Sequence, residues 1–254
     1  MNAPTAAVRT DEFPPRTHVR ELCLQRENAG YAAALCLTRA TPPELSPWAP
    51  HLLHPSERAR AATFRAERRR DGFLGGRIAA KLALQRLRPG LDGAGTCIFT
   101  GVFGQPIVEG PAAAGLQVTI SHAEGLAGAV AFPEAHPVGF DLERIRPELE
   151  ATIRSQLTSR EHALLPGLPF DPATGCTLLW TIKESLAKVL KCGLMTPLSI
   201  LELESLDASG PTVVATFAHF GQYRTESIVG SECVLSLALP RNTAMELAMP
   251  AGWL

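Results

Sequence analysis

The chain has 254 residues, of which 46% are hydrophobic and 19% charged, and its formal net charge is −1. This composition suits a folded chain with a buried core, and no global field recruits nucleic acid or a membrane surface. Any anion-binding site must therefore come from local clusters, and the length fits one large domain or two small ones at about 150 residues each.

Residues 1–20 read as a flexible leader. Asp11, Glu12 and two prolines stand where a secretion signal needs an apolar run, so the expected location is cytoplasmic. Residues 31–40 (YAAALCLTRA) read as a buried strand, after which Pro42, Pro43, Pro47 and Pro50 break the chain. Ser56 and Glu57 open a helix. Past the polar run Arg68, Arg69, Arg70 and Asp71, a second helical run reaches Leu87 before Pro89 and Gly90 stop it. Residues 97–110 (CIFTGVFGQPIVEG) read as a hairpin with Gly104 at its tip. Residues 116–122 alternate, with Leu116, Val118 and Ile120 on one face and Gln117, Thr119 and Ser121 on the other. Residues 126–132 form an unbroken apolar run of the kind found in central strands, and residues 137–144 (PVGFDLER) alternate again. Thr158 or Ser159 caps a helix with Glu161 in its first turn. An amphipathic helix over residues 180–194 follows, then a strand at 198–204 and two late strands at 212–220 and 231–239. No run approaches the ~18 apolar residues of a membrane span. The six cysteines are scattered without a C-x-x-C pair, which favours reduced, packed thiols over a zinc site.

The order of elements repeats. HPSERA (54–59) resembles LTSREHA (157–163), and ISHAEGLAGAVAF (120–132) has a counterpart in ESIVGSECVLSLAL (226–239). The helix with Arg77 and Lys81 resembles the one with Glu184 and Lys188; Glu57 to Lys81 spans 24 positions and Glu161 to Lys188 spans 27. The expected fold is α+β, a pseudo-dimer of two similar halves, 21–120 and 121–254. Each half would be a small, mainly antiparallel sheet with a long helix, and the active-site cleft would lie between them.

Three constellations carry charge suited to chemistry. Asp141 and Glu143 are two apart on a strand, so both carboxylates share a face, roughly 6.6 Å apart along the chain. They repel unless a cation sits between them, and hard cations such as Mg²⁺ take one or two carboxylates plus substrate phosphate; two solvated acids on an edge is the alternative. Ser121 and His122 end an alternating strand, where both can donate to a phosphate, or the histidine can simply cap a turn. On the helix over 180–194, Glu184 and Lys188 stand at i and i+4, with Lys191 continuing the stripe and Lys183 beside it. The alternative there is a surface ion pair of small consequence. The arginine-rich run 58–70 lacks aromatic interleaving apart from Phe64, so a solvated helix with one or two anion-binding arginines is favoured over a nucleic-acid face.

In this order, the motifs resemble the surfactin-type 4′-phosphopantetheinyl transferases. ISHAEG corresponds to that family's S-H element, VGFDLE to its G-[IV]-D-[ILV]-E element and WTIKESLAK to its W-x-x-K-E-[AS]-x-x-K element, with LTSREHALL between the last two. GGRIAAKLAL resembles its earlier G-R helix and FGQPIVEG its G-K-P turn, so the resemblance covers about residues 50–200. It implies that coenzyme A binds as substrate with Mg²⁺, and that the phosphopantetheinyl arm passes to a serine of an apo acyl or peptidyl carrier protein, releasing 3′,5′-ADP. It implies Asp141, Glu143 and Glu184 as metal ligands, and Arg60, Ser121, His122, Asp141 and Lys188 around the coenzyme. The catalytic set is Glu184, Glu143 and Lys188, with Glu184 favoured over Glu143 as base. A monomer is expected, with no nucleic-acid or membrane partner. One departure is Gln105, where the family's turn carries lysine. A Mg²⁺-dependent phosphohydrolase of nucleotides and a non-catalytic coenzyme A-binding protein are the competing readings.

Overall fold

The fold is known from a computed structural model that describes residues 13–210, 212–249 and 252–253. The first twelve residues of the expected leader lie outside them. In chain order the elements are β1 (Thr17–Arg26), β2 (Ala29–Thr38), α1 (Pro42–Leu45), α2 (Ala49–Leu52), α3 (Pro55–Thr63), α4 (Glu67–Leu87), β3 (Cys97–Thr100) and β4 (Pro106–Glu109). β5 (Leu116–Ala123), β6 (Leu126–Pro133), β7 (Gly139–Arg144), α5 (Glu150–Arg154), α6 (Ser159–Leu164) and α7 (Pro172–Val189) follow. The chain closes with β8 (Leu203–Asp207), β9 (Val213–Phe217), β10 (Tyr223–Val229) and β11 (Cys233–Pro240).

Antiparallel pairing builds a four-stranded sheet in the order β1-β2-β6-β5, a five-stranded sheet in the order β7-β11-β10-β9-β8, and the β3-β4 hairpin. Strand alternation sorts the core into layers. Ala34, Cys36, Val118, Ala129 and Ala131 turn to α4, where Ile78, Ala79 and Leu82 meet them. Leu35, Leu37, Val130 and Phe132 turn the other way and pack against Phe140, Leu142, Leu235 and Leu237 of the second sheet. Val234, Ala215 and Ala238 cover the outer face of that sheet beneath Leu178, Ile182 and Leu186 of α7. The stack runs helix, sheet, sheet, helix. Gly139 is what lets α7 lie close: a Cβ there would sit 1.9 Å from the Ser185 carbonyl oxygen, which is backbone and cannot move aside.

Several expectations need correction. Thr17–Arg26 is a strand, so residues 17–20 belong to the sheet rather than to a leader. It was hard to read because β1 is an edge strand in which only Leu22 and Leu24 are buried. β5 pairs along its full length with β6, so a boundary at 120/121 would cut a paired strand, and the first sheet runs on to Pro133. The helix expected over 180–194 spans Pro172–Val189 instead; Asp171 caps it by accepting from the amides of Ala173 and Thr174. The strand expected at 198–204 is a 3-10 turn over Leu198–Leu201, with β8 starting only at Leu203. β10 was not anticipated as a strand of its own. All six cysteines are free, and three of them, Cys36, Cys176 and Cys233, are buried.

The internal repeat has a physical basis. Glu57 in the first turn of α3 holds Lys81 of α4 (2.8 Å) and accepts from the Ile98 amide. Glu161 in the first turn of α6 holds Lys183 of α7 (2.8 Å) and accepts from the Leu203 amide. Each glutamate also closes a capping box at its own helix start. The partner of Glu161 is thus Lys183, 22 positions on, and not Lys188.

Candidate active site

The site forms where β5, the edge of the first sheet, runs beside β7, the edge of the second. Because Phe140 and Leu142 face the core between the sheets, Asp141 and Glu143 face α7. Asp141 is buried. Its Oδ1 accepts from the Ser121 hydroxyl at 2.8 Å and from the Lys188 ammonium at 2.7 Å, and Lys188 also donates to the Ile120 carbonyl at 3.1 Å. Its Oδ2 is buried without a partner, and so is Oε1 of Glu184.

Both neighbouring acids resist ionisation. Burial, then the charge of Asp141, pushes Glu184 up to about 7, with Lys188 opposing. Burial, then Asp141, also pushes Glu143 up to about 7; Glu184 adds to the effect, while Arg146 and Lys188 oppose it. Carboxylates crowded into low dielectric behave this way when no cation separates them. Three carboxyls, two of them with a partnerless buried oxygen (Asp141, Glu184) and two displaced towards neutrality (Glu143, Glu184), have the donor chemistry that a hard divalent cation takes. Among the described residues, no three His, Cys, Asp or Glu side chains are arranged as a ready metal-binding group. Asp141 Oδ1 is engaged by Lys188 and Ser121, which leaves Oδ2 as its available donor.

Three cavities surround these acids. A cleft of about 520 Å³ is lined by Glu184, Lys188 and Lys191 together with Phe103, Gly104 and Gln105 of the β3-β4 tip. A pocket of about 360 Å³ is lined by Arg60, Arg69, Arg77, Phe64, Phe73 and His122. Gly104, Pro106 and Ile120 border both, so the two are neighbours. A separate groove of about 550 Å³ is lined by Glu143, Arg144, Arg146, Ile153, Trp180 and Leu198.

The sequence-predicted residues separate accordingly. Asp141, Ser121 and Lys188 are joined by hydrogen bonds, and Glu184 and Lys188 share the cleft. Ser121 and His122 do not converge: as adjacent strand residues they face opposite ways, Ser121 towards Asp141 and His122 towards Gly72 of α4. Partial desolvation and then the charge of Lys188 lower the His122 pKa. His122 meets Arg60 in the arginine pocket instead. Lys183 leaves the polar stripe altogether; it is 1% exposed and bound to both oxygens of Glu161. Sequence reasoning missed Arg69, Phe73 and Arg77 as one surface. Their i, i+4, i+8 spacing is the signal, and the fold sets guanidinium groups over rings: Arg69 lies 5.2 Å over Phe64, Arg77 lies 4.8 Å over Phe73, and the two rings, tilted against each other, are 5.3 Å apart.

Among the described residues no helix is long and apolar enough to cross a membrane. Comparison with curated proteins gives no match. Residues 137–238, the stretch that carries Asp141, Glu143, Glu184 and Lys188, match the family model of the 4′-phosphopantetheinyl transferase superfamily.

Proposed function

We propose that this protein transfers the 4′-phosphopantetheine moiety of coenzyme A to a serine of an apo acyl or peptidyl carrier protein, in the manner of the surfactin-type enzymes its motifs resemble. The observation that carries the reading is the pair of partnerless buried oxygens, Asp141 Oδ2 and Glu184 Oε1, on acids tied to the cleft: Glu184 and Lys188 line it, and Lys188 holds Asp141, all within the superfamily match. The duplicated glutamate–lysine pairs support a pseudo-dimeric chain with the cleft between its halves.

Asp141, Glu143 and Glu184 would hold Mg²⁺, which supplies charge neutralisation on the diphosphate when bound. Arg60, with Arg69, Arg77 and His122, binds the phosphate on the nucleotide side. Lys188 swings from Asp141 to the bridging oxygen. The serine oxygen of the carrier attacks the β-phosphorus, the bond from that phosphorus to the bridging oxygen breaks, and 3′,5′-ADP leaves with that oxygen. The serine proton passes to Glu184. Its place on the cleft beside Lys188 suits that task. Glu143 is displaced equally and is the competing base. Ser121, expected at the phosphate, donates to Asp141 and so also holds that carboxylate in place. The carrier docks along the groove that Glu143 lines, where Arg144 and Arg146 match acidic carrier helices.

Incubation with coenzyme A, Mg²⁺ and an apo carrier, followed by mass spectrometry, tests this reading. One phosphopantetheinyl group gained on a single carrier serine is expected. Phosphate released from nucleotides without any carrier would favour the phosphohydrolase reading instead, and binding of coenzyme A without transfer would favour a non-catalytic protein.

A further inference from the structure

α7 ends in a tight cap. The Cys192 amide donates to the Ala187 carbonyl at 3.1 Å and the Lys191 amide to the Lys188 carbonyl at 3.2 Å, the two bonds of a Schellman motif. The residue at the turn of that motif adopts the left-handed conformation, which glycine takes freely and other residues take at a cost. Here it is Lys191, with φ 56°. Two residues on, Gly193 also has positive φ (53°), so the chain does place glycine nearby and still keeps lysine at the strained position. Backbone strain retained in an ordinary cap points to a use for the side chain.

Lys191 lines the cleft three residues beyond Lys188, and Gln105 lines the same cleft. Gln105 spends its side chain within its own turn, accepting from the Phe103 amide at 2.9 Å, and offers no charge to the cleft. Lys191 is exposed and has no ion-pair partner among the described residues, although Glu134 and Glu184 line the same cleft. We infer that Lys191 is a phosphate-binding residue of the cleft, joining Lys188 on the diphosphate and supplying the cation that the β3-β4 tip lacks. The inference rests on the coenzyme A reading given above. Strain and function are then coupled: the cap gives up stability in exchange for a second cation where the ligand carries most negative charge.

The coupling gives effects of opposite sign in one variant. Lys191→Gly relieves the left-handed strain and removes the ammonium. Its melting temperature is expected to rise by about 2 °C, while its affinity for coenzyme A, titrated by calorimetry, falls about tenfold for the loss of one charge-assisted contact. Lys191→Asn, neutral and tolerant of the left-handed region, is expected to lose the same affinity, and Lys191→Arg to keep most of it. Added salt is expected to weaken the wild type more than either neutral variant. If wild type binds coenzyme A and Lys191→Gly binds it equally well, this inference is overturned while the reading of the cleft stands. If wild type binds no coenzyme A, the reading of the cleft falls and takes the inference with it.

Discussion

Replacing Glu184 with glutamine removes one of two carboxyls whose ionisation the fold opposes. The ordinary value for this carboxyl is 4.5 and the folded chain pushes it up to about 7, chiefly by burial and the charge of Asp141. Folding therefore favours protonated Glu184. The associated stability is complete below pH 4.5 and is lost as pH rises through 7. The displacement corresponds to ~3 kcal/mol for one group. The unfolded carboxyl is already partly ionised at pH 5, so ~2 kcal/mol of this is expressed between pH 5 and pH 8. His18, His122 and His136, whose imidazoles are held below their ordinary value, act in the opposite sense, losing stability as pH falls through 6.5. The observable is thus the difference between wild type and Glu184→Gln, in which the histidine contributions cancel. Urea unfolding at pH 5 and pH 8 without divalent metal should show the variant gaining ~2 kcal/mol on wild type across that interval. Excess Mg²⁺ should stabilise wild type more at pH 8 than at pH 5 and the variant little at either. An identical stability difference at both pH values would refute the account of this carboxyl.

Three further outcomes follow from particular contacts. Lys183→Met leaves the Glu161 carboxylate buried and uncompensated, and should cost about 3–5 kcal/mol in denaturant unfolding; adding Glu161→Gln, which keeps the cap and removes the charge, should restore part of that loss. Gly139→Ala drives a methyl into the Ser185 carbonyl and should cost about 3 kcal/mol, read from the same unfolding curves. Gln105→Lys adds a cation to the cleft at the expense of the Phe103 amide bond, worth ~1 kcal/mol to the turn, and should lower the coenzyme A KM severalfold.

How much of this was legible depended on whether the signal was local. The alternation of VGFDLER places Asp141 and Glu143 on one face, and the strand keeps them there. The capping box at Thr158 and Glu161 and the glycine at the hairpin tip are short-range patterns, and each forms as read. The missing pieces are set by tertiary neighbours. Lys183 and Lys188 look alike along the helix, but only the position of α6 decides that Lys183 is buried on Glu161 and Lys188 reaches Asp141. Ser121 and His122 looked like a pair because they are adjacent, yet adjacency on a strand separates side chains. β1 was missed because an edge strand buries little. The arginine pocket was missed because its aromatic partners, Phe64 and Phe73, belong to different elements until α3 and α4 pack together.

The central claim is that carboxylates of β7 and α7 hold one divalent ion against a diphosphate. Mn²⁺, a paramagnetic substitute for Mg²⁺, tests it directly through electron–nuclear coupling to the phosphorus atoms of bound coenzyme A. Wild type should show that coupling, and both Asp141→Asn and Glu184→Gln should lose it while still binding the coenzyme. Coupling of unchanged strength in either variant, or coenzyme A bound to wild type with no phosphorus near the ion, would contradict the account.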